Sequence, residues 1–131
     1  MKALKVYYAH AMCLYRTEQE NNELKLIREK FKDAGIVNPA DHRDRSEEAE
    51  DAMNFYLSLV DSCDIVVFSH LLGKVTSGVG KEVNHALNNE KDAYMINEVS
   101  LISIKSPVKP ISRQSTIELY RMWMLQNLGK T

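Results

Sequence analysis

The sequence predicts an α/β fold, a single-domain flavodoxin- or Rossmann-like three-layer sandwich around a mainly parallel five-stranded sheet. Three observations predict it. Short apolar or alternating runs near residues 4–9, 65–68 and 93–96 read as strands. The stretches between them carry apolar residues three and four apart, the helical period. Strand and helix alternate along the chain, the pattern of crossover units with a parallel sheet. A length of 131 residues suits one domain over 1–131 with a core of useful size. No internal repeat or linker divides it.

The elements follow in order. Leu4, Val6 and Tyr8 alternate with Lys5 and Tyr7 to give strand one. Residues 10–16 form a loop. Thr17 and Glu20 make a capping box, and Leu24, Ile27, Phe31 and Ala34 share one face of the helix it opens. Gly35 is expected just past that helix's C-terminus. Ile36 and Val37 give a short second strand, stopped by Asn38 and Pro39. After a charged loop, Ser46, Glu47 and Glu48 predict a helix start. Its buried stripe would run through Ala49, Ala52, Met53, Tyr56, Leu59 and Val60. Residues 65–68, Ile-Val-Val-Phe, are apolar throughout, as a central parallel strand requires. Ser77 is expected to cap the next helix, with Val83, Ala86 and Leu87 facing the core. Residues 93–96 and 101–104 predict strands four and five. Pro107 and Pro110 hold an extended connection, and Ser112 opens a last helix over about 112–128.

Composition excludes several classes of function. Seventeen basic and 18 acidic residues leave a net charge of −1, which gives no electrostatic footing for nucleic acid or a membrane surface. No apolar run approaches the roughly 20 residues of a membrane span. The first residues lead into a strand pattern without the plan of a signal peptide. Cys13 and Cys63 are too few for a disulfide framework, so a reducing cytoplasm is the expected compartment. His10, His42, His70 and His85 match no metal-ligand spacing, and no metal or cofactor is expected.

The segment Thr76-Ser77-Gly78-Val79-Gly80-Lys81-Glu82 carries the candidate chemistry. It is not a phosphate loop: Gly73 and Gly78 have that spacing, but Val79 stands where lysine is required. No dinucleotide fingerprint follows strand one, and no GxSxG elbow surrounds Ser69 or Ser77. With strand order 2-1-3-4-5, the loops after strands one and three face one crevice at the topological switch point. Glu82 and Tyr7 or Tyr8 then lie close together. A carboxylate near a helix N-terminus is favoured in its ionised form and can attack an anomeric carbon. Gly78 and Gly80 would leave room for a sugar or phosphate against the backbone. Ala9, His10, Asn38 and Ser69, at or just past the ends of strands one, two and three, complete the candidate set.

Several of these residues are similar to those of a known family. The opening Val6-Tyr7-Tyr8-Ala9-His10 resembles the "vYlAgP" start of the nucleoside 2-deoxyribosyltransferases. Asp64-Ile65-Val66-Val67 resembles their "aDivva" strand, and Ser77-Gly78-Val79-Gly80-Lys81-Glu82 their "DSGTxxE" segment. The match covers about residues 5–96. It implies that Glu82 attacks C1′ of a nucleoside or 5′-monophosphate and expels the base, with Tyr7 orienting it. Ser77 and Gly78 would lie along the sugar or phosphate. It also implies chemistry without metal or cofactor, a small-molecule nucleoside or nucleotide partner, and a homodimer or larger homo-oligomer. Thr76 departs from the family's aspartate, which contacts the base, and Val79 from its threonine. The other reading of the same crevice is a non-catalytic module binding a nucleotide derivative. The apolar last helix, with Tyr120, Met122, Trp123, Met124 and Leu125, is expected at a subunit interface.

Overall fold

A computed structural model describes residues 3–43 and 51–127. Five strands form one mixed sheet: β1 (Lys5–Ala9), β2 (Gly35–Val37), β3 (Ile65–Phe68), β4 (Asp92–Asn97) and β5 (Ser100–Ile104). Their order is β2-β1-β3-β4-β5, as the alternation predicts. The first four run parallel, with Tyr7 beside Val66 and Ala9 beside Phe68. β5 turns back antiparallel to β4, pairing Asn97 with Ser100. Among the described residues three helices pack on this sheet, α1 (Glu18–Lys30), α2 (Ala52–Asp61) and α3 (Ser77–Asn88), and a fourth, α4 (Arg113–Gln126), packs on α3.

Alternation along the strands divides the core in two. Tyr7, Ala9, Val66 and Phe68 face α2 and α3, where Val60, Val79, Val83 and Ala86 meet them. Val6, Tyr8, Ile65 and Val67 face α1 and pack on Ile27. Val66 and Val67 are both fully buried, so strand β3 anchors both halves. Each such side chain contributes about 1.5–3 kcal/mol by leaving water.

Local chemistry sets the helix ends. Thr17 accepts a hydrogen bond from the Glu20 amide at 3.2 Å, as the capping box predicts. Glu20 reaches one residue further back than expected, to the Arg16 amide at 3.2 Å. Arg28 and Lys30 close α1 where the dipole favours cations. Gly35 does not cap this helix; the left-handed residue is Asp33 at φ 68°, and Gly35 already belongs to β2. The start expected at Ser46, with Ala49 of its stripe, lies outside the described residues. In the described part, Asp51 caps α2 by accepting from the amides of Met53 and Asn54. α3 is capped one residue earlier than expected, with Thr76 at the N-cap and Ser77 as the first helical residue.

After β5 the chain returns to the α2/α3 face. The Asn84 side chain pairs with both backbone groups of Val108, and the Ile111 amide donates to the Val75 carbonyl. This strap carries α4 onto α3 and onto a short 3-10 turn (Met12–Leu14) after β1. There Leu119, Tyr120 and Trp123 cover Ala11, Leu14 and Leu71. No helix among the described residues is long and apolar enough to cross a membrane.

Candidate functional site

Glu82 and Tyr7 come together as expected. The Tyr7 hydroxyl at the middle of β1 donates to Glu82 Oε2. Their meeting follows from the parallel register of β1 and β3 and from α3 crossing back over Tyr7. Ala9 lies two residues on along the same face.

The electrostatics differ from the sequence expectation. Thr76 at the N-cap puts Glu82 in the second turn of α3, beyond the free amides of the helix start. Glu82 is 6% exposed. Burial pushes its carboxyl up from 4.5 to about 8, against the smaller lowering effect of the Tyr7 hydrogen bond. Tyr7 is raised in turn, first by burial and then by the Glu82 charge. The pair holds its proton at neutral pH, so the helix dipole does not decide the ionisation of Glu82.

Three further tyrosines, which sequence reasoning missed, roof the pair. Tyr15 and Tyr56 hydrogen-bond to each other beside it, and Tyr120 of α4 lies close enough to feel the Glu82 charge. Tyr120 also accepts a hydrogen bond from the Met12 amide at 3.4 Å. Burial raises the Tyr15 and Tyr120 hydroxyls above their ordinary value. Two helices, α2 and α4, and the loop after β1 contribute to this shell, and no spacing in the chain marks it.

The glycine loop is closed rather than open. A Cβ at Gly80 would meet Pro110 Cβ at 2.3 Å, so Gly80 lets the strap pack closely instead of admitting a ligand. At Gly78 a Cβ would touch only the Met53 methyl, at 3.5 Å. The Ser77 amide donates to Thr116 Oγ1 of α4 at 2.9 Å, and the Thr116 hydroxyl donates to the Ser112 carbonyl. Thr76 Oγ1 is buried without a hydrogen-bond partner, alone among the described side-chain polar atoms. A buried hydroxyl in that state is costly and is either strained or waiting for a partner.

The remaining candidates lie elsewhere. Asn38 accepts from the Ala40 amide at 2.9 Å and caps a 3-10 turn (Pro39–His42) beyond β2. His10 and Ser69 sit on the α1 side of the sheet, away from Tyr7. His10 stacks on Tyr8 and bonds Glu20 at 2.8 Å; burial lowers its pKa despite that partner. Ser69 donates to Glu23 at 2.7 Å. A signal for this second cluster was present: Glu20 and Glu23 share the buried face of α1 with Ile27. Carboxylates on an apolar stripe are unusual. Among the described residues, no three side chains gather to hold a metal ion.

No protein-family model, curated protein or solved structure matches the chain. A buried carboxylate with a perturbed pKa and a specific tyrosine partner is nonetheless a recognised mark of a functional site. Ionised, such a group attacks an electrophilic carbon; neutral, it donates a proton.

Proposed function

We propose that the protein is a flavodoxin-like relative of the nucleoside 2-deoxyribosyltransferases that cleaves or transfers at an N-glycosidic bond. The substrate would be a (deoxy)nucleoside or its 5′-monophosphate. The observation that carries this reading is the hydrogen bond from Tyr7 to Glu82 at the switch-point edge of the sheet. In the first step an ionised Glu82 oxygen bonds to C1′ while the C1′–N bond breaks. The base leaves with the bonding electron pair and takes up a proton. In the second step a new base or water attacks C1′, loses a proton, and releases Glu82. Tyr7 holds the carboxylate in line. Thr76, partnerless beside Ser77, is the donor available to a ligand.

The α4 strap must open for a substrate to reach Glu82, and opening also hydrates the carboxyl and favours its charged form. A second reading of the same crevice is a non-catalytic module that binds a nucleotide derivative. Its support is Thr76, which stands where the catalytic family carries an aspartate.

Release of free base from a panel of nucleosides and 5′-monophosphates separates the two. Turnover by the wild type, lost by several powers of ten in Glu82→Ala, is the catalytic outcome. Saturable binding by both proteins with no turnover by either would leave only the binding module.

A further inference from the structure

The α1 face of the sheet is covered by one described helix, because the strap carries α4 to the opposite face. Beside α1 this leaves a crevice of about 730 Å³ running to the C-terminal end of β4. Two carboxylates line it, Glu23 from α1 and Glu98 from the β4–β5 turn. Three carboxamides, Gln19, Asn22 and Asn97, lie around them, with Leu26 and Ile96 as an apolar wall. His70 completes the rim, and among the described residues no lysine or arginine lines it.

Glu23 is the unusual member. It is 7% exposed. Its Oε1 accepts the Tyr8 hydroxyl at 2.5 Å, and its Oε2 accepts the Ser69 hydroxyl at 2.7 Å and the Gln19 amide at 3.3 Å. All three donors are neutral. Behind it lies Glu20, bonded to His10, whose imidazole burial holds toward its neutral form. Neither carboxylate is paired with a lysine or arginine among the described salt bridges. Buried carboxylates are ordinarily compensated by a cation, since neutral donors recover only part of the lost hydration.

We propose that this crevice binds a small organic cation, a primary amine or guanidinium on a short apolar body, with Glu23 and Glu98 receiving its charge. The carboxamides would take the remaining N–H donors through their carbonyl oxygens, and Leu26 and Ile96 would cover the alkyl part. A metal ion fits poorly, because among the described residues no three histidine, cysteine, aspartate or glutamate side chains converge there. The site is independent of Glu82, which lies across the sheet from Tyr8.

Isothermal titration of the full chain with putrescine, agmatine and arginine, and with 1,4-butanediol as the neutral control, tests this. Saturable one-to-one binding of at least one cation, without binding of the diol, is the expected result. Glu23→Gln should weaken it about tenfold or more, as loss of a charged hydrogen-bonding partner does. Glu82→Gln should bind as the wild type does. The side-chain amide resonances of Gln19, Asn22 and Asn97 should shift during the titration. If Glu23→Gln does not fold, Glu98→Gln, which changes an exposed turn residue, together with those resonances decides the matter. No saturable binding across the cations, equal binding of the diol, or unmoved resonances at these amides would each overturn the proposal.

Discussion

Replacing Glu82 by glutamine should remove a pH dependence of stability that the native fold builds in. The folded carboxyl titrates near 8 and the ordinary one at 4.5, so between those values the native state binds more protons than the unfolded state. Stability therefore falls as pH rises through that interval, by about 1.4 kcal/mol per pH unit. The whole fall approaches 5 kcal/mol at most, a large share of a small domain's stability. His10 acts in the opposite sense. Its folded pKa is lowered, so it adds stability as pH rises to about 6.5 and nothing further above that. Cys13 and Cys63 are raised and matter only as pH nears the ordinary thiol value of 9.0. The interval from about pH 6.5 to 8 thus isolates Glu82, and the expected loss across it is about 2 kcal/mol. Urea unfolding at several pH values in that interval, for wild type and Glu82→Gln, measures it. The variant should be level where the wild type declines. Parallel profiles, or a level wild type, would refute the assignment of a buried, proton-holding Glu82.

Two further outcomes follow from the same contacts. Gly80→Ala should cost about 1–3 kcal/mol in chemical unfolding, because its methyl has no space beside Pro110. Pro110→Gly in the same chain should recover most of that loss; an undiminished Gly80→Ala would mean the strap does not pack there. Tyr7→Phe removes the one contact that lowers the Glu82 carboxyl, so its titration, followed by carbon NMR, should move above about 8. A downward move would show that the hydroxyl is not the donor.

Much of the fold was legible in the chain. Five strands and the order β2-β1-β3-β4-β5 follow from apolar runs, the first four alternating with helical periods because a parallel sheet needs a crossover after each strand. The capping residues Thr17 and Ser112 were readable for a local reason: their partners lie three residues away. The cap of α3 was misread by one position because Thr76 and Ser77 are both good cap types and Thr76 forms no cap bond. Gly35 was misread because a glycine after a helix resembles a C-cap, whereas the chain used Asp33 for the left-handed turn.

The site divides along the same line. Period-two alternation determined that Tyr7 and Tyr8 face opposite sides of β1, and the apolar run before Thr76 fixed which end of the sheet carries Glu82. Neither could say which tyrosine meets which carboxylate. That depended on α1 bringing Glu23 beneath Tyr8 and α3 bringing Glu82 beneath Tyr7. Nor could local pattern show that Pro110 fills the space over Gly80, or that Thr116 takes the Ser77 amide, since these partners are 30 or more residues apart. The sequence by itself determined where a carboxylate stands relative to strand and helix, because periodicity and capping act over a few residues. Only the tertiary structure decided how deeply that carboxylate is buried, and therefore that Glu82 titrates near 8. Desolvation is the sum of everything packed around a group, and here that packing comes from α2, α4 and the loop after β1.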